Sequence, residues 1–121
     1  MRILVIDDDW QMREMMHQAL GRAGYDVVDA ANGKIGLNLH RSNPVDLVIT
    51  DLIMPEKEGI ETIRELRRDF PGLKIIAISG GGRAGADGYL NVAKTIGADR
   101  TLSKPFDLKQ ILDTVKELLE S

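Results

Sequence analysis

Side chains able to do chemistry stand at the ends of four short runs. Asp7, Asp8 and Asp9 follow Ile3-Leu4-Val5-Ile6, and Asp51 closes Leu47-Val48-Ile49-Thr50. Ser79 follows Ile75-Ile76-Ala77-Ile78, and Lys104 stands just before Pro105. Carboxylates crowded together repel, and one of them keeps its proton unless a cation joins the group. The chain has no cysteine and no histidine near these positions, so only oxygen ligands are on offer. That favours a hard cation, Mg²⁺ before Ca²⁺ because few ligands come from protein. A lysine facing such a cluster supplies a point charge for a transferred oxyanion, and a serine hydroxyl adds a hydrogen bond. Acid pair, single acid, hydroxyl and lysine together read as a phosphoryl-accepting site. Each alone has a plainer reading: Asp51 as a turn cap, the aspartate run as a helix cap.

The elements between these residues decide whether they can meet. The apolar runs read as strands buried on both faces, and Pro55 forbids a ladder beyond Asp51. Met12, Met15, Met16, Ala19, Leu20 and Ala23 mark one helical face, with Gly24 placed for a left-handed cap. Val27-Val28 centres a weaker second strand, and a helix interrupted by Gly36 runs to about His40. Ile60, Ile63, Leu66 and Phe70 mark a third helix, while Leu90, Ala93 and Ile96 mark a fourth beyond a glycine-rich loop from Gly80 to Gly88. Asp107 and Gln110 form a capping box for the last helix, whose core face is Leu108, Ile111, Leu112, Val115, Leu118 and Leu119. Strand and helix alternate five times, which predicts an α/β fold with a parallel sheet and helices on both faces. In such a doubly wound sheet the strand carboxyl ends share one edge, where ligands bind.

The bulk numbers agree. At 121 residues, with 43% hydrophobic and 29% charged residues, one soluble domain spanning 1–121 is expected. A net charge of −3 argues against direct nucleic-acid binding. No apolar run could cross a bilayer, and no signal peptide opens the chain, so no membrane partner and a cytoplasmic location are expected.

Ile3 to Asp8, Asp51 to Pro55, Ile75 to Gly80 and Lys104-Pro105-Phe106 together resemble the response-regulator receiver domain, the CheY-like module of two-component signalling. The resemblance covers essentially the whole chain and implies a flavodoxin-like (βα)5 sheet of order 2-1-3-4-5. It further implies that Asp51 takes a phosphoryl group from a histidine kinase or phosphotransfer protein. Asp7, Asp8, Asp51 and the backbone carbonyl of Ile53 would hold Mg²⁺. Ser79 and Lys104 would contact the phosphoryl oxygens, and the Lys104–Pro105 peptide would be cis. Such a domain catalyses its own phosphorylation and dephosphorylation instead of acting as a conventional enzyme. A downstream protein would read the face made by the fourth helix, fifth strand and fifth helix.

Departures from the family pattern are informative. Thr101 stands where an aromatic switch residue is expected, and the loop after Ser79 is about three residues longer than in chemotaxis-type members. Ile53 and Gly81 offer no side chain to orient a hydrolytic water, which predicts slow dephosphorylation. Three other readings compete. Asp7 and Asp9 fit a haloacid-dehalogenase phosphatase start, although Gln11 breaks that motif. Gly80, Gly82 and Gly85 spell a nucleotide-binding glycine pattern, at the fourth strand instead of the first. A receiver-like fold that binds partners without ever being phosphorylated is the third. His17 and His40 are expected to face solvent.

Overall fold

A computed structural model describes residues 1–52, 59–79, 93–104 and 106–120. Five strands alternate with helices: β1 (Arg2–Ile6), α1 (Trp10–Arg22), β2 (Asp26–Ala30), α2 (Gly33–Ser42), β3 (Leu47–Asp51), α3 (Gly59–Asp69) and β4 (Lys74–Ser79). A helix whose described residues are 93–96 (α4), then β5 (Arg100–Ser103) and α5 (Leu108–Glu120), complete the order. All neighbouring strands pair in parallel, in the order β2-β1-β3-β4-β5. The expected fold is therefore the observed one. The order reverses between β1 and β3, so the carboxyl ends of those two strands flank the switch point.

Side chains alternate across the sheet, and each face has its own core. Ile3, Val5, Leu47, Ile49, Ile76 and Ile78 pack against Met16 and Leu20 of α1 and Ile111, Val115 and Leu118 of α5. Leu4, Ile6, Val48, Ile75 and Ala77 pack on the other face against Leu37 of α2, Ile63 and Leu66 of α3 and Ala93 of α4. The sheet is thus clamped on both faces, leaving its two ends open to solvent and loops.

Helix ends follow the local chemistry. Asp9 caps α1 by accepting from the Gln11 amide, and Gly24 takes the left-handed φ of +99° beyond it. Asp107 and Gln110 exchange reciprocal hydrogen bonds at the start of α5, the expected capping box. Three expectations need correction. Gly36 does not interrupt α2; it is buried because a Cβ there would come within 2.5 Å of Ile6 Cδ1, so helix and strand approach closely. Leu108 is exposed and lies outside the core face of α5. His40 is buried: its Nδ1 accepts from the Val45 amide at 3.0 Å, and its ring meets Phe70 edge-on at 4.3 Å.

Candidate functional site

The carboxyl edge of the sheet carries Asp7, Asp8, Asp51, Ser79 and Lys104. Asp7 leaves the end of β1 and Asp51 ends β3, on adjacent strands, and both are buried. Asp8 is exposed beside them, and carboxylate oxygens of all three lie within 4.8 Å of one another. Lys104 follows β5, where its amide donates to the Ser79 carbonyl at 2.8 Å. Its Nζ sits 3.4 Å from Asp51 Oδ2 and 3.5 Å from Asp7 Oδ2, so one ammonium spans two carboxylates. Ser79 ends β4 next to β3 and is fully buried, and its hydroxyl finds no hydrogen-bond partner among the described residues.

Asp9 stands apart from the cluster. Its carboxylate is the α1 cap, while its amide donates to Asp7 Oδ1 at 2.9 Å. Of the three consecutive aspartates, one is buried in the site, one is exposed beside it, and the third ends the turn. That division leaves the Asp7–Asp9 phosphatase reading without its acid/base partner.

The electrostatics follow from burial. Desolvation pushes the Asp7 carboxyl up, and although the Asp9 amide opposes it, Asp51 reinforces it; the result is about 6. Burial works against the charged Lys104, but Asp51 and Asp7 outweigh it and raise its pKa. A buried acid pair sharing one lysine is still one positive charge short. Three oxygen-only donors in reach of one point fit a small hard dication, which would supply that charge.

Ile53, Pro105 and the glycine-rich segment 80–88 lie outside the described residues, and with them the Ile53 carbonyl ligand, the cis peptide and the nucleotide-binding pattern. Thr101 lies on β5 opposite Ala77 and is partly exposed. Two residues that position the site were not singled out from sequence. Gly59 opens α3 directly against β3: a Cβ there would overlap the Asp51 carbonyl oxygen and come within 2.5 Å of Leu52 Cα. Thr50 donates its hydroxyl to that same carbonyl at 3.0 Å. A glycine eight residues after an acid is a weak signal on its own, since many loops contain one.

Three carboxylates, a buried hydroxyl and a lysine thus stand along the carboxyl edge of a flavodoxin-like sheet. Comparison with known proteins identifies the class. The family model described as "Response regulator receiver domain" matches residues 3–116. The chain is 35% identical to the response regulator receiver protein CpdR of Brucella abortus, over 98% of this chain and 96% of that one. It is 37% identical to the sensor kinase CckA of the same organism, but spans only 12% of that protein's length. Among solved structures, a CheY-like receiver domain from Methanospirillum hungatei superposes with a TM-score of 0.89 at 29% identity, covering 98% of this chain and 93% of that one. The chain belongs to the response-regulator receiver family of two-component signalling.

Proposed function

We propose that Asp51 is a phosphoacceptor that takes a phosphoryl group from the phosphohistidine of a histidine kinase or phosphotransfer protein. The observation that carries this reading is the placement of Lys104 Nζ between Asp51 and Asp7, with Asp8 completing the acidic cluster. An Asp51 carboxylate oxygen attacks phosphorus in line, and the P–N bond breaks with its electron pair left on the donor imidazole. An acyl phosphate forms on Asp51. Lys104 is free to exchange its carboxylate partner for a phosphoryl oxygen, and the Ser79 hydroxyl has a donor to offer a second one. Asp7, Asp8 and Asp51, with the Ile53 carbonyl, would hold Mg²⁺, whose charge would neutralise the transferring oxygens. The output is a changed surface for a downstream protein, on the face made by α4, β5 and α5.

The test is direct. Incubation with acetyl phosphate and Mg²⁺ should add one phosphoryl group, detectable by intact mass. Asp51→Asn and chelation should each abolish it. Full labelling of Asp51→Asn would remove Asp51 from its role, and an unlabelled wild type would favour a partner-binding module that is never phosphorylated.

A further inference from the structure

Asp8 is the exposed member of the acidic cluster, and no described residue hydrogen-bonds its carboxylate. What the protein can control is therefore the main chain that carries it. The Asp7 carbonyl and the Asp8 N–Cα bond share one rigid peptide plane, so whatever holds that carbonyl oxygen also holds the Asp8 Cα from which the carboxylate reaches the site. Arg13 holds it. From the first turn of α1, Arg13 Nη1 donates to the Asp7 carbonyl oxygen at 2.8 Å. Its Nε lies 3.9 Å from Asp29 Oδ2, and its side chain is 19% exposed. Asp29 is the register partner of Val5 near the end of β2. The Asp7 amide separately donates to the Ala30 carbonyl at 3.1 Å. The turn is thus tied to β2 twice, once through the Asp7 N–H and once through the guanidinium fork and Asp29.

We infer that Arg13 is a positioning residue that aims Asp8 into the cation site by clamping the Asp7–Asp8 peptide to the end of β2. The inference rests on the cation reading proposed above. A guanidinium suits the task because its planar fork reaches a carbonyl and a carboxylate together, whereas an ammonium is a single point. Groups that orient metal ligands typically change affinity by roughly 10–100-fold when removed. Among the described residues Asp8 has no orienting side-chain contact of its own, so the effect should pass through it.

Calorimetric Mg²⁺ titration of the full chain tests this, alongside urea melts in chelator and amide spectra of the metal-free protein. Arg13→Ala should weaken Mg²⁺ affinity by about tenfold or more and move the Asp8 and Asp9 amide resonances. Arg13→Lys should recover part of the affinity. In an Asp8→Asn background, Arg13→Ala should cost nothing further, because the two act as a unit. Unchanged affinity in Arg13→Ala, with wild type binding normally, overturns the inference alone. So does a loss that adds in full to that of Asp8→Asn. A wild type without saturable Mg²⁺ binding overturns the cation reading as well. Should Arg13→Ala not fold, Asp29→Asn carries the test: it loosens the anchor and should show a smaller loss of affinity, and no loss there overturns the clamp.

Discussion

Asp7 holds its proton to about pH 6 because burial and the neighbouring Asp51 both disfavour its charge. In the unfolded chain the same carboxyl ionises near its ordinary value of 3.8. Between those values the folded state binds more protons, so this group adds stability as pH falls and withdraws it as pH rises through 6. Metal-free protein should therefore gain from this residue between pH 7.5 and 5, by roughly 1 kcal/mol. Asp7→Asn should remove that component and stabilise the metal-free protein at pH 7.5. Urea denaturation of both proteins across pH, in chelator, checks it. If Asp7→Asn melts earlier than wild type at pH 7.5, burial of this charge is not the cost supposed here. Saturating Mg²⁺ should flatten the wild-type pH dependence, since a cation offers the partner that burial denies.

At the scale of elements, close approach decides where the site residues sit. Gly59 places the start of α3 on the β3 backbone, and its amide donates to the Leu52 carbonyl at 2.9 Å. A methyl group there meets main chain, which cannot rotate away as a side-chain tip could. Gly59→Ala should cost about 1–3 kcal/mol or more. It should also slow phosphorylation of Asp51, because the peptide that must move is Asp51's own. Gly72 offers the control: a Cβ there meets nothing within 4 Å, so Gly72→Ala should be near neutral in both assays. Equal melts for the two variants would show that β3 yields at no cost. Gly36 makes the analogous approach between α2 and Ile6, with a side chain as its neighbour.

Across the whole molecule the two ends of the sheet are built differently. The carboxyl end crowds like charges, whereas the amino end is fastened by Arg67. From α3 its guanidinium donates to the Gly97 carbonyl at 2.6 Å and to the Pro71 and Leu73 carbonyls at 2.7 Å each. It also meets Asp99 Oδ2 at 2.9 Å, which accepts from the Ile75 amide at 2.8 Å. One side chain thus joins α3, β4 and the approach to β5. Arg67→Ala should destabilise by about 2–3 kcal/mol, since it orphans several acceptors that are only partly exposed. Below its melting temperature it should still be phosphorylated at the wild-type rate. A labelling defect in the folded variant would mean that the two ends are coupled.

Periodicity and strand-end chemistry were enough to read the five strands, their order by way of the family likeness, and the cluster of Asp7, Asp8, Asp51, Ser79 and Lys104. Those features are local: an apolar run, a capping box or an acid after a strand declares itself within a few residues. What needed tertiary structure depends on contacts between distant segments. His40 looked like a solvent-facing helical residue until Val45 and Phe70 closed around it. Gly36 and Gly59 looked like breakers or loop residues until Ile6 and the β3 backbone filled the space beside them. In the run Asp7-Asp8-Asp9 the family likeness set Asp9 apart from the two expected ligands, but only the turn geometry showed a buried acid, an exposed acid and a cap. Composition along the chain determines which chemistry is present; packing across the sheet determines which of several identical side chains is in place to do it.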